Sequence, residues 1–169
     1  SRMVSDILDY SQLQAGYCQL KKESLNLCEL LESEITWYRP LAQEHHITLE
    51  LECMQEELLT EADASKMNQV IRNLLNNAVN HTADGGCIRI TADSSRVSIA
   101  NPGPPIPEED RALIWERYQR SQHQSGRRLG TGIGLSIVRT ILEAHHMAYG
   151  VDCRDGWNIF WFSCQSSRQ

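Results

Sequence analysis

Two groups of residues in this 169-residue chain have types and spacing suited to chemistry. In "KMNQVIRNLLNNAVNH", Asn73, Asn77 and Asn80 fall within about 60° of one another on a helical wheel of about 100° per residue. Met67, Val70, Ile71, Leu74, Leu75 and Ala78 form the opposite, apolar face. Asparagine disfavours a helix by roughly 0.5–0.7 kcal/mol per position against alanine, so Glu or Lys would suit a merely solvated face better. Its carbonyl is a neutral oxygen ligand suited to Mg²⁺, and its amide donates to phosphate or ribose. The second group is "GRRLGTGIGLSIVRTI", where Gly130, Gly132 and Gly134 alternate just before an apolar run that reads as a helix. Glycines there let backbone approach phosphate, and a helix start offers N–H groups and a positive dipole end. The pattern is GxGxG, not the GxGxxG of dinucleotide sites, and it lacks the GK[ST] ending of a P-loop.

The elements that must position these groups follow from periodicity. Residues 2–15 place Met3, Val4, Ile7 and Leu8 on one stripe, with Gly16 as a stop. This helix begins in mid-pattern without a cap and is expected to be the end of a longer one. A short strand is expected over 18–24, then a helix from Leu27 to His45 with a bend at Pro40. "ITLELEC" alternates as a strand, and "LLTEA" is expected to pair beside it. Asp63 reads as the N-cap of the asparagine helix, which runs through Asn80. "CIRITAD" and "RVSIAN" are strands joined by a polar turn. A long loop over 102–129 follows, with a helical patch at "EEDRALIWERY". A helix over 132–146 and the strands "AYGVDCR" and "NIFWFSC" close the chain. Helices and strands mix without βαβ alternation, which predicts an α/β sandwich with helices on one face of a mixed sheet.

Bulk properties narrow the function classes. The 41% apolar content supports one domain with a real core, and no run approaches a membrane span. A net charge of -6 argues against a general nucleic-acid binder. Six cysteines without a CxxC pair exclude a zinc site by spacing and fit a reducing, cytosolic interior.

Taken in order, asparagine helix, two strands, "NPGPPIP", "LIWERYQR" and "GTGIGLSIV" resemble the ATP-binding catalytic domain of sensor histidine kinases, in the Bergerat ATPase superfamily. "NLLNNAVNHT" is similar to the family's asparagine box, "NPGPPIP" to its first glycine box, "LIWERYQR" to its phenylalanine box and "GTGIGLSIV" to its second glycine box. The segment 1–16 is similar to the end of the second dimerisation and phosphoacceptor helix, which leaves 17–169 as the catalytic domain. The resemblance implies a two-layer α/β sandwich of Bergerat type, with a mixed, mostly antiparallel sheet covered on one face by helices and a mobile ATP lid. It implies ATP and Mg²⁺ as ligands, with Asn77 holding the metal and Asn73 one turn earlier. Asn101 stands where the family has the aspartate that accepts from the adenine amino group, and Gly103 lets backbone pass near the base. Ile106, Asn80 and His81 join the nucleotide set, as do Arg117, Tyr118 and Arg120 of the lid and Gly130, Thr131, Gly132, Ile133, Gly134 and Leu135 at its closing edge. Arg127 and Arg128 are looser candidates. Asn80 and His81 replace the usual Lys-Tyr pair, removing a cation near phosphate. Trp115 and Tyr118 stand for the usual phenylalanines, Pro105 for a common glycine, and "HHM" at 145–147 for His-Gly-Gly.

Hydrolytic members of the superfamily carry a glutamate one turn before the metal asparagine. Here that position is Asn73, an amide that is no general base. The implied reaction is therefore transfer of the γ-phosphoryl group to a histidine, then relay to a response-regulator aspartate. None of the six histidines lies in the H-E/D-x-x-x-P context of an acceptor, so that residue is expected upstream and this chain is not expected to phosphorylate itself. The implied partners are the kinase's own phosphoacceptor domain, in cis or trans within a homodimer, and a cognate response regulator. Three other readings stay open from sequence: a related anti-sigma-type serine kinase, a degenerate module that uses the fold only for docking, and a structural helix–sheet adaptor whose motifs are accidental.

Overall fold

In the computed structural model the described residues are 19–116 and 134–165, so the expected stem helix at 2–15 lies outside them. Strand β1 (Lys22–Asn26) runs directly into helix α1 (Leu27–Glu44), because Asn26 Oδ1 accepts from the Cys28 N–H at 3.1 Å and caps the helix. The same oxygen accepts from the Leu58 N–H at 3.1 Å, and Leu27 N–H donates to the Leu58 carbonyl at 2.8 Å. These two bonds draw strand β3 (Leu59–Asp63) against β1 as a separate antiparallel pair. The expected pairing of "LLTEA" beside "ITLELEC" is thereby overturned. Strand β2 (Thr48–Cys53) instead pairs in parallel with β4 (Cys87–Ala92). Pro40 sits inside α1 without ending it. Both Pro40 and Thr36, whose carbonyl loses its intrahelical donor there, are exposed, so water can serve that group.

The main sheet has the order β2-β4-β5-β7-β6, with β5 over Arg96–Pro102, β6 over Tyr149–Arg154 and β7 over Trp157–Ser163. Only the β2–β4 pairing is parallel, so the sheet is mixed and mostly antiparallel. Period-two alternation sends Val97, Ile99, Phe160 and Phe162 to one buried face. On the other face the guanidiniums of Arg89 and Arg96 lie over Trp157 and Trp161, at 4.6 and 4.1 Å from the ring centres.

Helix α2 (Ala64–His81) is capped as expected by Asp63, whose carboxylate accepts from the Lys66 N–H at 3.2 Å. Its apolar side, Met67, Val70, Ile71, Leu74, Leu75 and Ala78, is at most 2% exposed and fills the core between α1, α3 (Gly134–Ala144) and the sheet. The "EEDRALIWERY" patch becomes two short 3₁₀ turns, Glu108–Asp110 and Leu113–Trp115.

Candidate functional site

The asparagine face of α2 is not a solvated one. Asn73 is buried, and Asn77, Asn80 and His81 are half-buried. The reason is the start of α3: a Cβ placed on Gly134 would lie 3.2 Å from Asn73 Oδ1, so glycine lets the two helices meet at this point. Leu135 packs its side chain on the core one residue later. Farther along the same face, Asn77 Nδ2 and Asn80 Oδ1 are shielded and have no hydrogen-bond partner among the described residues. Orphaned buried amide atoms are costly in a finished core and suit a pocket that expects a polar ligand.

The base-recognition candidates stand at the end of the sheet nearest the loop that follows β5. Asn101 is 2% exposed, the last inward-facing residue of β5 after Val97 and Ile99. Its Nδ2 donates to the Pro102 carbonyl at 3.3 Å, while its Oδ1 is buried without a partner among the described residues. Gly103 follows at φ +155°, a conformation that favours glycine, and a Cβ there would stand 3.9 Å from Asn101 Nδ2. Ile106 is buried beside this bend, and its carbonyl accepts from Arg111 Nε at 3.1 Å.

One residue escaped the sequence reading. Asn158 on β7 lies directly opposite Asn101 in the antiparallel register and is also buried. It too has an orphaned Oδ1, and its Nδ2 donates to the Pro104 carbonyl at 2.9 Å. The signal was available: in "WNIFWFS", Asn158 shares the inward face with Phe160 and Phe162, where an amide is out of place.

Residues 117–133 lie outside the described residues, and with them Arg117, Tyr118, Arg120, Arg127, Arg128, Gly130, Thr131, Gly132 and Ile133. The two residues that flank this segment are anchored close to the site. Trp115 is buried edge-on against Tyr149 and Phe160, with ring centres 4.9 and 5.9 Å away. Glu116 then meets Arg139 of α3 at 3.6 Å, and Gly134 meets Asn73 on the far side. Among the described residues no group of three or more His, Cys, Asp or Glu side chains could hold a metal ion. Any divalent cation here would be shared between an amide oxygen and ligand phosphates.

The model of histidine kinase-, DNA gyrase B- and HSP90-like ATPases matches residues 62–167. Sensor histidine kinase TmoS of Ectopseudomonas mendocina is 33% identical over 94% of this chain. The adaptive-response sensory kinase SasA of Crocosphaera subtropica is 32% identical over 92%. The chain spans only 17% and 42% of the lengths of these two relatives. Among solved structures, the catalytic domain of histidine kinase ThkA superposes with a TM-score of 0.75 at 29% identity, covering 87% of this chain and 99% of that one. Full-length ShkA in complex with AMPPNP gives a TM-score of 0.81 at 27% identity over 96% of this chain and 35% of that one. The fold, the ordered boxes and these matches agree, and the chain belongs to the histidine kinase-, DNA gyrase B- and HSP90-like ATPase family.

Proposed function

We propose that this chain is the ATP-binding catalytic domain of a two-component sensor histidine kinase. It holds ATP·Mg²⁺ and presents the γ-phosphoryl group to a histidine on a helical phosphoacceptor domain, from which the group passes to a response-regulator aspartate. The parent kinase is a homodimer in this reading, and the domain works on the cytoplasmic side. The observation that carries the reading is the meeting of the asparagine face of α2 with the start of α3 at Asn73 and Gly134. It brings an amide row and a helix N-terminus to one place, where a triphosphate needs both. The AMPPNP complex of ShkA lends support for the nucleotide, and the complex of ThkA with response regulator TrrA, at 29% identity and a TM-score of 0.73, lends support for the regulator partner.

The division of labour follows from the side chains. Asn101 accepts from the base through its orphaned carbonyl, Gly103 keeps backbone out of the way of the base, and Ile106 offers it an apolar contact. Asn77 holds Mg²⁺ through its side-chain oxygen, and Asn80 and His81 border the phosphates. Bound Mg²⁺ would neutralise charge on the phosphoryl oxygens, while the α3 N-terminus, Leu135 and the arginines of 117–133 address the triphosphate. Asn73 replaces a base with an amide, so the site positions a phosphoryl group without activating water. Mixing the chain with Mg²⁺, γ-labelled ATP and the phosphoacceptor domain of its own kinase should put acid-labile label on that domain. Bound ATP with no label transferred would overturn the assignment as a phosphoryl donor.

A further inference from the structure

We propose that the open face of the main sheet docks a second copy of this chain, a contact independent of the nucleotide site. Helices bury the face that carries Val97, Ile99, Phe160 and Phe162. The opposite face presents Ser98 and Ala100 of β5 and Trp157, Ile159 and Trp161 of β7, all half-buried. Register sets Ala100 beside Ile159 and Ser98 beside Trp161, so the apolar groups form one patch rather than isolated spots. The patch is also laid flat. A Cβ on Gly150 would stand 2.9 Å from the Trp161 ring, so glycine on β6 lets that indole lie along the sheet. Arg96 stacks 4.1 Å from the centre of the same ring and meets Asp152 at 3.8 Å. Arg89 stacks 4.6 Å from the centre of Trp157 and meets Glu50 at 3.8 Å.

Charge selects the occupant. Arg89 and Arg96 are cancelled by Glu50 and Asp152, and Glu52 and Arg154 at the rim cancel each other. The face is therefore neutral, on a chain of net charge -6. Two copies repel each other across most of their surface, and this face is where they approach without that cost. An acidic partner gains little from arginines already paired, and a basic one is drawn to the acidic remainder of the surface. Trp157 and Trp161 are four residues apart on one strand, about 13 Å, with Ile159 midway between them. A two-fold contact centred on Ile159 sets each tryptophan–arginine stack against a stack of the other copy, and Ile159 against its own equivalent. Sheets packed in this way form a sandwich. The apolar content is a few side chains, so the contact belongs to the weak, concentration-dependent class.

The test is dilution of the ¹⁵N-labelled full chain from about 1 mM to about 20 μM, a range that spans weak association. Its four tryptophans supply indole N–H signals that locate the contact. Those of Trp157 and Trp161 should shift with concentration, while those of Trp37 on α1 and of the buried Trp115 stay fixed. Sedimentation over the same range should show the average mass rising from one chain toward two. A mass that stays at one chain would overturn the proposal. So would a rise that leaves Trp157 and Trp161 unmoved, as pairing through residues 1–16 would give. Ile159→Glu sets two carboxylates against each other at the two-fold axis and should abolish the concentration dependence, with a circular dichroism spectrum like that of wild type. Association that persists in this folded variant would overturn the proposal too, and the wild-type dilution needs no variant to fold.

Discussion

His145 shows how one residue can tie two elements near the site together. It is buried after α3, with Nδ1 2.8 Å from the Ile141 carbonyl and Nε2 accepting the Asp63 N–H at 3.1 Å. Both of its ring nitrogens are thus engaged within the fold. Burial depresses its pKa below the usual 6.5, against the opposing pull of the Ile141 carbonyl. The sign follows: above about pH 6.5 neither the folded nor the unfolded chain carries this proton. As pH falls below that value the unfolded chain takes it up first, and stability drops. Urea midpoints between about pH 7.5 and 5.5 should therefore fall more steeply for wild type than for His145→Gln, and equal slopes would contradict this role. Gly134 gives a second prediction. Alanine gains roughly 1 kcal/mol of helix propensity at most, while its Cβ must displace the Asn73 carbonyl from 3.2 Å. Gly134→Ala should leave thermal stability within about 1 kcal/mol of wild type and weaken binding of an ATP analogue severalfold. Unchanged affinity would separate Asn73 from the nucleotide.

At the scale of elements, α2 is the part on which the site depends, and its N-cap is unusually well supplied. Burial disfavours the Asp63 carboxylate, but N–H groups of Lys21 and Lys66 and the Ser65 hydroxyl outweigh it and hold the pKa below the usual range. Asp63→Ala should lower unfolding stability by about 1–2 kcal/mol, checked by denaturant titration. Asp63, the apolar stripe of α2 and most strands were legible because period and cap are local properties. The partner of β3 was not, since it turns on Asn26 reaching Leu58 across 32 residues. The helix was expected to run through Pro40 and does, because an exposed carbonyl can be served by water and the break a proline often makes does not follow. The burial of Asn73 was also hidden, because a helical wheel shows only which residues share a face and not what covers it. Asn158 could have been found by asking which polar residue occupies an inward position of an alternating strand. Trp115→Ala, which empties the aromatic contact with Tyr149 and Phe160, should destabilise by about 3–5 kcal/mol in the same assay.

For the whole molecule, the arrangement we propose is a core that holds a nucleotide and delegates the acceptor. The order of four boxes in the sequence was specific enough to give both fold and family, because their described parts fall on four separate places of one fold: α2, the end of β5, the turn Leu113–Trp115 and the start of α3. The asparagine row meets the α3 start at Asn73 and Gly134, and Asn101 stands opposite Asn158 on β5 and β7, while the arginines and glycines of 117–133 lie outside the described residues. Among the described residues no helix is long and apolar enough to cross a membrane. Incubated alone with γ-labelled ATP and Mg²⁺, the chain should accumulate no acid-labile phosphohistidine, and robust label on it would refute the separation of donor from acceptor. The central claim, that this is an ATP·Mg²⁺ site, is tested most directly by calorimetry with a non-hydrolysable ATP analogue, with and without Mg²⁺, on wild type and Asn77→Ala. The account predicts saturable binding to wild type that strengthens with Mg²⁺, and loss of that metal dependence in the variant. No binding at millimolar analogue would contradict it.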